Sequence, residues 1–302
     1  MSKLSKLSKV TVTAAALVVA SSALANAQAK PFSSSAAVEA ALGRKGAPQP
    51  DGVLKFSFPR SDMSVVVRGV AVKPGLALGT WIAFADATGG GAMAMGDLVL
   101  SESEVSPVMR ALQDGNIEAT ALHNHIIGAE PVVMYMHIHA HGDPAAIAKT
   151  LHAALALTKT PLGAPAAPAA VALDLDTTAI ATALGMKGKA NGPVYQVGVP
   201  RSETITQDGQ PVPVSMGIAT SINFQSTGGG KAAATGDFVL RDTEVNAVAR
   251  ALRANGIDVT AIHSHMLGEN PRLYFMHFWG NDNAATLAKG LRAALDKTAS
   301  KK

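Results

Sequence analysis

Residues 96–155 of this 302-residue chain align without a gap to residues 236–295, and 26 of the 60 positions are identical. An internal repeat of this kind fixes the architecture before any single element is assigned. Gly96-Asp97 matches Gly236-Asp237, Glu104-Val105 matches Glu244-Val245, and Arg110-Ala111-Leu112 matches Arg250-Ala251-Leu252. Thr120-Ala121-Leu122-His123-Asn124-His125 matches Thr260-Ala261-Ile262-His263-Ser264-His265, and Pro131 and Met136-His137 match Pro271 and Met276-His277. Upstream, Phe84 and Gly89-Gly90 match Phe224 and Gly229-Gly230, and Ala41-Leu42-Gly43 resembles Ala183-Leu184-Gly185 at a drifted offset. The homologous copies run from about 33 to 157 and from 174 to 297, inside a first repeat assigned to 28–157 and a second to 174–302. The segment 158–173 between them is rich in Ala and Pro and suits a semi-extended linker. Two copies in one chain read as a pseudo-dimer.

Within each copy the pattern is mixed. Ala36–Leu42 and Thr178–Leu184 are expected as short helices, and Ser103–Gln113 and Thr243–Arg253 as amphipathic ones with Ser103 and Thr243 as N-caps. Val65–Val72, Thr80–Ala85, Met93–Leu100 and Ala233–Leu240 are expected as strands. Glu118–Ile127 and Val132–His141 form two more across the Gly128–Pro131 turn, and a helix follows over Pro144–Leu157. This order predicts an α+β class, each repeat a mainly antiparallel sheet with helices packed on it.

The formal charge of +4 and the pI near 9.3 invite a nucleic-acid reading. Residues 1–27, however, carry Lys3, Lys6 and Lys9, an apolar stretch over Val10–Ala20 and small residues at Ala25 and Ala27, the pattern of a cleaved signal peptide. Removing them leaves 23 basic against 22 acidic residues, too balanced to grip a phosphate backbone. The expected setting is periplasmic or secreted, with no nucleic-acid partner and no membrane span. The chain has no cysteine, which excludes disulfides, thiolate metal sites and a cysteine nucleophile.

Eight of the nine histidines fall in the two expected hairpins: His123, His125, His137, His139 and His141, then His263, His265 and His277. Alternate residues of a strand share a face, so imidazoles from paired strands can converge as ligands of a transition metal, zinc or copper above others. The competing reading is a metal-free polar network or plain structural histidines. His139 and His141 face Trp279 and Asn281 in the alignment, so the second site is expected to be partly degenerate. The spacing is compatible with two separate sites or with one shared between the copies. Asp97 and Asp237, Glu104 and Glu244, and Glu130 and Glu269 are the candidate carboxylates that orient imidazoles or join them. For Glu104 and Glu244 a helix N-terminal role competes. Met136 and Met276 alternate to the face opposite the histidines and are expected in the core.

The set Gly-Asp-X-Val-Leu, Glu-Val, His-X-His, a Pro turn and Met-His, duplicated behind an export signal, resembles the LppY/LpqO family of bacterial envelope proteins over residues 36–297. The resemblance implies an exported bacterial protein and transfers no reaction. It also departs from that family, whose namesakes are lipoproteins, because no cysteine is present to acylate. The functional expectation is a soluble envelope protein that holds a transition metal, or a small-molecule ligand through it, on the histidine hairpins. The alternatives are a metal-dependent hydrolase and a metal-free interaction protein, and whether the chain is an enzyme stays open.

Overall fold

A computed structural model describes residues 29–163 and 173–301. The leader expected over 1–27 and most of the linker expected over 158–173 lie outside those residues. The first repeat runs α1 (Ser35–Leu42), β1 (Ala47–Pro48), β2 (Leu54–Pro59), β3 (Val65–Val67), β4 (Val70–Val72), α2 (Pro74–Ala77), β5 (Gly79–Asp86), β6 (Ala92–Ser101), α3 (Glu102–Asp114), β7 (Glu118–His123), β8 (Ala129–Glu130), β9 (Val133–Gly142) and α4 (Pro144–Leu155). The second runs α5 (Thr177–Leu184), β10 (Lys189–Asn191), β11 (Val194–Pro200), β12 (Thr206–Gln207), β13 (Gln210–Pro211), a short 3-10 turn, β14 (Ala219–Gly228), β15 (Lys231–Leu240), α6 (Asp242–Ala254), β16 (Asp258–His263), β17 (Glu269–Asn270), β18 (Tyr274–Asn283) and α7 (Ala284–Leu295).

Each repeat builds a six-stranded antiparallel sheet, in the orders β1-β2-β5-β6-β9-β7 and β10-β11-β14-β15-β18-β16. The α+β class and the duplication are as the sequence predicts. Alternation along β6 and β9 explains the layering. Ala94, Leu98, Leu100, Met136, Ile138 and Ala140 turn to one face and pack under the helices with Val108, Leu112 and Leu151. The second repeat repeats this core with Phe238, Leu240, Met276, Phe278, Val248 and Leu291. Met136 and Met276 are therefore core residues.

The opposite faces of the two sheets pack against each other. One mixed core joins Ala83, Met93 and Met95 to Ile205, Val239, Met266 and Phe275. Another joins Val67, Leu78, Val99 and Tyr135 to Val194, Ala233 and Trp279. Reciprocal hydrogen bonds mark the pseudo-two-fold relation: Thr120 Oγ1 donates to the His265 carbonyl and Thr260 Oγ1 to the His125 carbonyl, both at 2.5 Å. The same patch thus serves on both copies, as in an isologous dimer interface.

Three local expectations need correction. Val65–Val72 is a hairpin rather than one strand, because Arg68 and Gly69 take positive φ and turn the chain back. The strand expected over Glu118–Ile127 stops at His123, and β8 leaves to pair with β3. The amphipathic helices start at Glu102 and Asp242. Their caps form on the backbone of Ser101 and Arg241, whose N–H groups donate to Glu104 and Glu244 at 2.8 and 2.7 Å, so Ser103 and Thr243 are not the N-caps.

Candidate metal centre

The pairing of β9 with β6 and β7 sets the centre. Asp97 lies directly across from His137, and Asp237 from His277. On the other side of β9, His123 faces Tyr135, and the irregularity at Ala119/Ala121 leaves Thr120 free to reach the other repeat. His125 and His265 sit beyond the strand ends, in loops that fold back over the sheet. Because the two histidine-bearing faces meet, the clusters form one shared centre rather than two.

The rings are layered. His123 and His263 stack at 3.5 Å between centroids. His125 lies between Tyr135 at 3.4 Å and His277 at 3.8 Å, and His265 between Phe275 at 3.4 Å and His137 at 3.7 Å. Ligand atoms of His123, His125 and His277, of His123, His137 and His263, and of His263, His265 and His277 each lie within 4.8 Å of one another. Asp97 forms a like group with His125 and His137.

Backbone carbonyls fix the imidazole tautomers. Nδ1 of His277 lies 2.9 Å from the Gly236 carbonyl, and His137 makes the equivalent bond to Gly96. Nδ1 of His123 and His263 lie 3.2 and 3.3 Å from the carbonyls of Asn124 and Ser264. A carbonyl only accepts, so Nδ1 carries the proton and Nε2 presents a lone pair. Nε2 of all six central histidines is closed to solvent and without a hydrogen-bond partner. A buried unpaired polar atom costs about 1–3 kcal/mol. Four such lone pairs in one interface, with the buried unpaired Nε2 atoms of His125 and His265 beside them, fit a soft or borderline cation, with the carbonyls as the groups that orient its ligands.

The Gly-Asp motif now has a physical reason. A Cβ on Gly236 would come within 1.9 Å of the Ser221 carbonyl oxygen, and one on Gly96 within 2.7 Å of the Trp81 carbonyl oxygen. Only glycine lets β14 and β5 approach while its own carbonyl holds the histidine. Gly236→Ala is expected to cost about 2–3 kcal/mol from overpacking and strain, measured by urea unfolding. A change under 0.5 kcal/mol would contradict the close approach.

Two buried carboxylates complete the charge pattern. Asp97 Oδ2 lies 3.5 Å from His125 Nε2, and Asp237 Oδ2 lies 3.6 Å from His265 Nε2. Burial, and then the charge of Asp237, pushes Asp97 up to about 8, with Lys55 opposing. Burial pushes Asp237 up to about 7. Lys55 is itself drawn down to about 8 by burial while it sits over the Trp81 ring and donates to the Ser215 carbonyl. Burial lowers His123 to about 4 and His263 to about 3. His125, His137, His265 and His277 are held far below the usual range by burial and then by neighbouring imidazoles.

These shifts give the metal-free protein a stability maximum near pH 6.5. Below that, histidines protonate in the unfolded chain but stay neutral in the fold, so stability drops toward pH 4. The aspartates act oppositely: their contribution is full below 3.8 and is lost as pH rises to about 8. Six imidazoles outweigh two carboxylates on the acid side, the carboxylates act alone between 6.5 and about 8, and above that Lys55, neutral in the fold but charged in the unfolded chain, restores some stability as pH rises. Denaturation midpoints in chelator from pH 4 to 9 check this, and a steady rise through pH 8 would overturn it.

The glutamates lie elsewhere. Glu104 and Glu244 grip the buried guanidinium groups of Arg60 and Arg201. Glu130 is exposed on β8. Glu269 accepts from the Leu273 N–H at 2.9 Å and pairs with Arg272. His139 and His141 are separated from the centre, grouped with Asp208 of the second repeat. Sequence reasoning missed Tyr135 and Phe275, which cradle His125 and His265, although the two aromatics align two residues before His137 and His277. It also missed Lys55, whose position carries no repeated residue to signal it.

Among the described residues no helix is long and apolar enough to cross a membrane. No curated protein matches the chain. A solved structure of a trimeric bacterial microcompartment shell protein, PduB, aligns with 81% of this chain and 88% of its own at 11% identity, with a TM-score of 0.19. Overlap that poor bears on neither fold nor function. A domain model matches twice, over residues 36–157 and 178–297, the same two segments whose histidine-bearing faces close on each other. The chain belongs to the family described as a domain of unknown function, DUF1259.

Proposed function

We propose that this protein binds a transition metal on the six histidines shared by its two repeats, in the bacterial envelope setting that the leader over 1–27 and the LppY/LpqO resemblance imply. One observation carries the reading: six solvent-closed Nε2 atoms lie together at the interface of the repeats with no hydrogen-bond partner. Charge balance supports it. Asp97 and Asp237 bring two negative charges when ionised, matched by one divalent zinc or copper ion or by two cuprous ions. Two divalent ions would leave uncompensated buried charge. Closure of every Nε2 to solvent favours holding the metal over turning over a substrate on it, which needs an open position.

Metal analysis of the purified protein tests this. One divalent zinc or copper ion, or two cuprous ions, are expected per chain at the shared centre, lost in the His123→Ala/His125→Ala/His137→Ala variant. Absence of metal, together with no rise in thermal stability on adding either ion, sinks the reading.

A further inference from the structure

The pseudo-two-fold axis relates two corners of the molecule that are built from equivalent elements and filled differently. In one corner, Arg68 on the β3–β4 turn reaches across to Asp258 on β16 at 2.5 Å. Trp279 lies directly across from Asp258 on β18, with Asn281 two residues further. In the other corner Asp208, on the β12–β13 turn, occupies the place of Arg68, and Glu118 on β7 occupies that of Asp258. His139 lies across from Glu118, and His141 follows on the same face of β9. The first corner contains its own cation. The second sets two carboxylates around two imidazoles, one of them, Asp208, in the place of the arginine.

The details of the second corner suit a metal ion. His139 is 3% exposed, and its Nδ1 lies 3.4 Å from Glu118 Oε2. The carboxylate accepts the Nδ1 proton, which leaves Nε2 as a lone pair that is buried and without a partner. The His139 and His141 rings meet edge to face at 4.7 Å. His141 Nε2 lies 3.9 Å from Asp208 Oδ2, and ligand atoms of the three residues fall within 4.8 Å of one another. Two ligands at about 2.1 Å from a tetrahedral ion stand roughly 3.4 Å apart, so a small closure of the exposed His141 and Asp208 completes the site. Gln210 pins the turn that presents Asp208, by accepting from the Thr88 N–H at 2.7 Å.

Sulfur selects among the metals. Met95 pairs with His139 and Met93 with His141 across β6 and β9, on the same face. The equivalent pairs in the second repeat are Thr235 with Trp279 and Ala233 with Asn281. Both imidazoles and both thioethers are thus present together in one corner and absent together in the other. Among divalent first-row ions an imidazole and carboxylate donor set binds copper most tightly, and thioethers on the same strand face add to that preference.

We propose that His139, His141 and Asp208 form a second, rim metal site that takes copper in the place where the opposite corner uses Arg68. The site is separate from the shared centre and exposed on the His141 side, so its ion exchanges with solution.

The test replaces Asp208 and His141 by the residues of the opposite corner, Asp208→Arg and His141→Asn, in the full chain. Both side chains are exposed, and Arg68 already occupies the equivalent left-handed position, at φ 49 against 51 for Asp208. Equilibrium dialysis against copper(II) sulfate, followed by elemental counting, is expected to show one copper fewer per chain than in the wild type. The His137→Leu/His277→Leu variant of the centre should retain that copper, and His152→Gln should change nothing. Equal copper counts in the wild type and the Asp208→Arg/His141→Asn variant would overturn the rim site. If the shared centre fails to bind instead, the wild type holds a single copper, and that copper still disappears in the rim variant.

Discussion

Zinc or copper at a thousandfold excess over its dissociation constant should stabilise the wild-type fold by about 4 kcal/mol, and His137→Leu/His277→Leu should abolish that gain. The two imidazoles come from opposite repeats, and each is oriented by a glycine carbonyl on the neighbouring strand. Without metal the same substitution has the opposite sign. It removes two buried Nε2 atoms that have no partner, each costing about 1–3 kcal/mol, and leucine keeps most of the packed volume. The metal-free variant is therefore expected to match or exceed the wild type, while the wild type wins once metal is added. Urea unfolding with chelator and with metal reads both halves. A variant equally destabilised under both conditions would mean that the imidazoles serve packing alone.

Arg60→Ala should produce the largest loss of stability by a single side chain, about 3–5 kcal/mol. The guanidinium is almost wholly buried and spends its donors fully: Nη1 and Nη2 bond Glu104 at 2.9 and 3.2 Å, Nε and Nη2 bond Asp62 at 2.9 and 2.8 Å, and Nη1 also meets the Val99 carbonyl at 2.6 Å. Glu104 in turn accepts from the N–H groups of Ser101 and Lys159. Loss of the arginine leaves an uncompensated carboxylate under the start of α3. The melting temperature should fall by roughly 10 °C, and replacing Arg60 and Glu104 together by Met and Leu should recover much of it. Metal stoichiometry should be unchanged in the variant that still folds, because neither residue belongs to the histidine groups. A loss below 1 kcal/mol would show that the pair is not an anchor.

The repeat explains how much of this was readable. Short helices, the antiparallel sheets and the methionine core follow from period and alternation, which are local properties. The Arg60 anchor is hidden by a single-residue slip, since Arg201 lies 141 positions later while the repeated block is offset by 140. At the 140-residue offset Glu104 and Glu244 align while their arginine partners do not, so the sequence alone leaves the two glutamates beside the histidines as candidate carboxylates. The strand expected to carry both His123 and His125 ends at His123, because β8 is drawn to β3 by pairing that no local pattern announces.

By itself the sequence determined two equivalent α+β units, the absence of thiol chemistry and a set of histidines that must share strand faces. Those follow from composition and from the two-residue period of a strand. The tertiary structure alone decided that the two sets are one. Face-to-face packing of the repeats stacks His123 on His263 and closes every central Nε2 from solvent. It also carries Asp208 of one repeat to His141 of the other. Contacts of that kind join residues more than 60 positions apart across a surface with its own symmetry, and neither register nor periodicity within one repeat encodes them.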